Sequence, residues 1–166
     1  MSKAIYLANQ EYRSNSQEIE GSFLTLDGDR FYRIQNYSEM PPFFMSLVSP
    51  SDHWLFIASN GGLSAGRVNA ESSLFPYYTD DKLIDAAEFT GSKTLVKVER
   101  DGAYKLWEPF SAFGEGLYQV ERNLYKNTLG NRLRFEELNL DLQLRFAYEW
   151  SFSDEYGILR KAWMEN

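Results

Sequence analysis

The chain has no cysteine and a single histidine among its 166 residues. Without cysteine there is no disulfide framework, no thiolate nucleophile and no sulfur-ligated metal. The lone His53 cannot supply a His-ligated metal site or a two-histidine acid–base pair within one chain. Standing just before Trp54, where a turn meets a strand, it reads as a surface or capping residue. Long apolar runs are also missing. The N-terminal stretch MSKAIYLANQEYRSNSQEIEG lacks the apolar region of a signal peptide, and no later run reaches membrane-spanning length. These absences predict a soluble cytoplasmic protein with no membrane partner, no metal and no cofactor, in which Asn36-Tyr37-Ser38 is a chance glycosylation sequon. Positive charge is scarce too. The 17 basic residues against 24 acidic ones give a net charge of -7, and the basic residues form no cluster. Such a chain repels a phosphate backbone, which excludes nucleic acid as a partner.

What the chain does have is rings. Its 12 Phe, 11 Tyr and 4 Trp supply a core and favour strands. A length of 166 residues suits one domain spanning 1–166. Period 2 recurs along it. FLTLDGDRFYRI, HWLFIASNGGLSAGRV and KTLVKVERDGAYKLWEPF each place Asp-Gly or Asn-Gly between alternating runs, the sign of a hairpin with a type I′ turn. Pro109 fits a strand end, since it cannot donate to a ladder. From Leu138 to Phe152, apolar residues alternate with polar ones, predicting one curved strand of roughly 50 Å with a bend along it. Leu133 and Phe135 are out of phase with that run, so a β-bulge is expected at Glu136–Glu137. Phe146, Tyr148 and Trp150 are assigned to the core. The one helical candidate is a short turn near 81–87, and the first twenty residues read as an edge strand or an arm. The fold expected is all-β: an antiparallel β-sandwich, supersandwich-like, with long curved strands and several hairpins.

The stretch SNGGLSAGR raises the question of a phosphate loop. Such a loop needs its last glycine followed by Lys-Ser or Lys-Thr and a helix N-terminus. Here Gly66 is followed by Arg67-Val68 and the glycines lie between strands, so the stretch is read as a corner. Gly62 and Gly66 mark a bulge or the close approach of another backbone.

Candidate chemistry is sparse. Asp80, Asp81 and Asp85 follow Pro76-Tyr77-Tyr78 and would suit paired carboxylates or a hard cation; a solvated loop with helix-capping acids is the simpler account. Adjacent Glu136 and Glu137 point to opposite faces of a strand. Sugar sites stack exposed rings on pyranose faces and meet hydroxyls with carboxylates and amides. On that chemistry Trp54, Tyr77, Tyr78 and Trp107, with Asp80 and Asp81, form the candidate carbohydrate-binding set. Core packing is the competing account for each ring, and no catalytic residue is assigned.

PPFFMSLVSPSDHWLFIASNGGLSAGR, SLFPYYTDDKLIDAAEFTGSKT, YKLWEPF and RNLYKNTLGNRLRFEELNLDLQLRFAYEWSFSDEYGILR together resemble, over roughly 41–160, the N-terminal β-supersandwich region of large bacterial proteins related to cellobiose phosphorylase and similar glycoside phosphorylases. That region has a fold similar to galactose mutarotase. The resemblance implies a non-catalytic β-sandwich module of a carbohydrate-active protein, shaping a glycan site or packing on a downstream helical barrel that carries the catalytic acid. The chain would then be an N-terminal fragment of something longer or a stand-alone relative without the catalytic machinery. Mutarotase activity itself needs histidines this sequence lacks. Two alternatives stand beside this reading: a self-contained carbohydrate enzyme using Asp80, Asp81 or Asp85 with Glu136 or Glu137, and a structural homodimerisation module pairing strands edge to edge.

Overall fold

In the computed structural model, residues 5–7, 10–14 and 16–166 are described. The chain is an antiparallel β-protein. Two short strands, β1 (Ile5–Leu7) and β2 (Gln10–Tyr12), pair as a ribbon at the N-terminus. The rest of the expected N-terminal arm, 1–4, 8, 9 and 15, lies outside the described residues.

The largest layer is a six-stranded sheet. Its strands are β3 (Glu20–Leu26), β4 (Asp29–Gln35), β10 (Val120–Asn127), β11 (Leu133–Asn139), β12 (Leu144–Ser153) and β13 (Gly157–Glu165), ordered β13-β12-β11-β10-β4-β3. Facing it is a three-stranded sheet of β5 (Phe44–Leu47), β6 (His53–Ala58) and β7 (Leu63–Arg67). A separate two-stranded hairpin, β8 (Val96–Arg100) with β9 (Ala103–Trp107), packs Val96, Val98 and Trp107 on the core. Apolar side chains from both layers form one cluster: Leu55, Ile57 and Leu63 on one side, Leu133, Phe135, Phe146, Tyr148 and Trp150 on the other, with Trp107 from the hairpin. That is the sandwich the alternation predicts, and Phe146, Tyr148 and Trp150 are in its core as expected.

The turns follow from their residues. Asp27 and Gly28 join β3 to β4, and Asp101 and Gly102 join β8 to β9, all four at positive φ, as a type I′ turn requires. The Asn60-Gly61 hairpin differs. Only Gly61 has positive φ, the Gly61 amide bonds the Ala58 carbonyl, and the Ala58 amide bonds the Gly62 carbonyl. This is a three-residue loop with a type I turn and a bulge glycine, not the type I′ turn expected. Gly62 and Gly66 do mark close approaches. A Cβ on Gly62 would sit 2.0 Å from the Leu83 carbonyl oxygen, and one on Gly66 would lie 2.4 Å from the Trp54 ring. The expected short helix is α1 (Asp81–Asp85). Asn36 of the sequon is buried, and its amide donates to the Glu18 carbonyl.

One expectation is overturned. The run from Leu138 to Phe152 is not one long strand: the chain reverses at 140–143, between β11 and β12, with Gln143 at positive φ. Nor is there a bulge at Glu136–Glu137, because the β11–β12 register is unbroken from Leu133↔Trp150 to Asn139↔Leu144. The reversal itself produces the phase change. Core-facing residues are odd-numbered on β11 and even-numbered on β12, and Leu138 lies on the opposite face, paired with Arg145.

Candidate binding site

The six predicted carbohydrate-binding residues do not form one site. Trp54 and Phe56 project from the outer face of β6, beside Phe44 of β5. Tyr77 packs edge-on against Trp54 with ring centroids 5.4 Å apart, and Phe56 lies 5.4 Å from both Trp54 and Phe44. The result is an aromatic ladder on the back of the small sheet, with Tyr77 half exposed. Tyr78 is half-buried, its amide donating to Ser64 Oγ. Asp80 and Asp81 are exposed at the start of α1, where the Asp80 carbonyl accepts from Leu83 and Ile84 and Asp81 Oδ1 from the Lys82 amide. Both are solvent-exposed, but the Asp80 side chain makes no cap on α1, so the helix-capping part of the simpler account does not hold for it.

Trp107 corrects the expectation. It is 1% exposed and presents no ring face to solvent. Its indole N–H donates to Glu137 Oε1 at 2.8 Å. Glu136 and Glu137 do point to opposite faces, each engaged by other side chains. Glu136 accepts from Asn123, Tyr125 and Arg145. Glu137 accepts from Trp107, from the Phe110 amide at 2.6 Å and from Arg122 Nε at 2.8 Å. Arg122 goes on to the Ser111 carbonyl. This buried pair holds the loop after β9 in place. Phe110 has a φ of 64°, an unusual left-handed conformation for a bulky residue, and the bond from its own amide to Glu137 helps stabilise it.

Above that pair lies a cleft of about 460 Å³. Its floor is the core face of the large sheet with Tyr37, Arg122 and Tyr148. Its walls are the Ser59–Gly61 turn, the end of α1 with Asp85 and Glu88, and the loop carrying Phe110, Phe113 and Glu115. Three short sequence features build it. Gly62 lets α1 press against the hairpin turn, where Asn60 Nδ2 also bonds the Ile84 carbonyl at 2.9 Å. Gly91, at positive φ, brings the chain after α1 against Gly61. Gly114 and Gly116 bracket Glu115.

Two tyrosines define the floor. Tyr148 is stacked on Phe135 at 4.9 Å, meets the edge of Phe110 at 5.3 Å, and has the Arg160 guanidinium 4.3 Å from its ring centroid. Tyr37 packs edge-on against Phe135. Both are more than nine-tenths buried and line the cleft, yet neither hydroxyl has a hydrogen-bond partner among the described residues. Burial raises both phenols well above their usual range, so both hydroxyls are protonated at neutral pH and able to donate or accept.

Sequence reasoning places Tyr148 in the core, where most of its ring is, but does not single out Tyr37, Phe110, Phe113, Glu88, Glu115 or Arg122. The signal for the cleft was the glycine spacing: Gly61-Gly62 on one side, Gly114-Glu115-Gly116 on the other. Among the described residues no helix is long and apolar enough to cross a membrane. Comparison with protein-family models and with curated proteins finds no match for this chain.

Proposed function

We propose that this chain is a glycan-binding β-sandwich module of a carbohydrate-active protein, with the cleft between Tyr148, Phe110 and α1 as its binding site. The observation that carries the reading is the pair of unpartnered hydroxyls that Tyr37 and Tyr148, their rings buried, present to the base of a cleft walled by rings, carboxylates and Asn60. Each phenol hydroxyl can both donate and accept a hydrogen bond, and meets a ligand of matching chemistry. Polyhydroxylated ligands supply such donors and acceptors, while Phe110 and Phe113 offer apolar surface to their C–H faces. The module binds rather than transforms. Glu137, the carboxylate deepest in this region, is held by three donors from the chain itself.

The test is a calorimetric titration of the wild type and of Tyr148→Phe with a panel of oligosaccharides. Binding by the wild type, weakened about tenfold by loss of one buried hydrogen bond, supports the reading. An empty panel removes it.

A second reading, a packing module for a catalytic domain, draws on a different place. Residues of β3, β4 and β10, with Phe43 and Met45 from the small-sheet side, line an apolar groove of about 310 Å³ that includes Phe23, Tyr32 and Ile34. A neighbouring domain seated there would cover it.

A further inference from the structure

The charges around the cleft do not balance. Arg122 is matched by Glu137, and Lys93 at the side lobe is matched by Glu88 and Glu108. Asp85 and Glu115 also line the cleft, and neither has an ion-pair partner among the described residues. Arg122 acts on Glu115 through space but spends its hydrogen bonds on Glu137 and Ser111. The uncompensated charge facing a ligand is therefore negative, which disfavours phosphate and acidic sugars.

Lys93 shows what this chemistry holds. Its ammonium bonds Glu88, lies 3.5 Å from Glu108, and sits 5.9 Å from the Phe113 ring centroid. Carboxylate and ring together are a standard way to hold an ammonium group. The main cleft repeats the combination, with its lining cation Arg122 hydrogen-bonded to Glu137 and Ser111 instead: Asp85 and Glu115 as carboxylates, Phe110 as the ring, and the unpartnered oxygens of Tyr37 and Tyr148 as acceptors for N–H. The acids alone would say little. Tyr37 and Tyr148, each more than nine-tenths buried and each with an unpartnered hydroxyl lining the same space, are the independent sign that the cleft is built for a ligand.

We infer that the ligand enters the cleft through a protonated amine; combined with the glycan reading, on which the substrate class rests, this makes it a deacetylated amino sugar. The experiment is calorimetric titration with glucosamine oligomers, their N-acetylated counterparts, neutral gluco-oligomers and a simple diamine, against the wild type and the Asp85→Asn/Glu115→Gln double variant. Both substituted residues are exposed, so the fold should survive, and a melting curve on each protein checks this. The free amine should bind about tenfold tighter than its acetylated form, with the preference reduced by salt and brought near parity in the double variant. Equal or tighter binding of acetylated or neutral oligomers overturns the amine and leaves the glycan reading standing. A diamine that binds as well as the amino sugar, with neutral sugars silent, supports the amine and overturns the glycan. No binding by any of the four overturns both.

Discussion

The indole N–H of Trp107 and the carboxylate of Glu137 meet at 2.8 Å inside the sandwich, joining the end of β9 to the middle of β11 across 30 residues of sequence. The same carboxylate takes the Phe110 amide and Arg122, so a single side chain ties the β8–β9 hairpin, the cleft loop and the large sheet together.

Removing one partner should therefore cost far more than a surface change. Glu137→Ala leaves the Arg122 guanidinium buried without its counter-charge, and a loss of about 3–5 kcal/mol is expected. Trp107→Phe keeps most of the ring but deletes one donor, at about 1–3 kcal/mol. Urea unfolding of both variants measures the difference. Equal, sub-kcal effects would show that the pair does not organise this region.

Gly62 faces the backbone of α1. A Cβ there would lie 2.0 Å from the Leu83 carbonyl oxygen, and backbone cannot step aside as a flexible side chain can. Gly62→Ala should destabilise the chain by about 1–3 kcal/mol and shift α1 away from the hairpin turn, weakening ligand binding in proportion. Gly28→Ala provides the contrast, since nothing lies within 4 Å of its added Cβ and only its positive φ resists the change.

The rim of the large sheet carries a pH-dependent contact. Asp27 accepts from Arg134 at 2.7 Å and from Arg132 at 3.2 Å, and these bonds, Arg134 first, hold its carboxyl below the usual value. A depressed folded-state pKa contributes stability that is fully present above the unfolded value, near 3.8, and lost as pH falls through the folded one. Melting temperatures between pH 5 and pH 2 should fall for the wild type, with a shallower decline in Asp27→Asn; parallel curves would contradict this assignment.

Buried phenols give the opposite slope. Burial raises Tyr37 and Tyr148, and for Tyr125 the charge of Glu136 adds to burial. Stability from these neutral groups is fully present below the unfolded phenol pKa of about 10 and is lost as pH rises toward the folded values. In a spectrophotometric titration, three of the 11 tyrosines should ionise only as the chain unfolds in alkali. Ionisation of all of them before any loss of the strand circular-dichroism signal would contradict the effect of burial on these phenols.

Local chemistry was legible where a turn announces itself. Asp27-Gly28 and Asp101-Gly102 each place both residues at positive φ, and the hairpins follow. The reversal between β11 and β12 was not legible, because Leu140 and Leu142 continue the alternation straight through it and no Asn-Gly or Asp-Gly interrupts the run. Leu142 is buried in the core while Leu140 is exposed, and the Leu142 amide is caught by Asn139 Oδ1. A one-residue bulge and a chain reversal both shift the phase of alternation, so period alone cannot tell them apart. The site was harder still. Trp54 and Tyr77 do meet, but on the back of the small sheet, and Trp107 is spent on Glu137. The cleft depends on Tyr37 and Tyr148, about 110 positions apart, whose rings are core and whose hydroxyls alone reach the open space, a distinction no periodicity encodes.

The most direct test of the binding site is backbone-amide NMR of the labelled chain during titration with glucosamine oligomers. Shifts concentrated at Asn60–Gly62, Ile84–Glu88 and Phe110–Glu115, and lost in Tyr148→Phe, are the predicted result. Shifts centred on Trp54 and Tyr77, or none at saturating ligand, would contradict the assignment of the cleft.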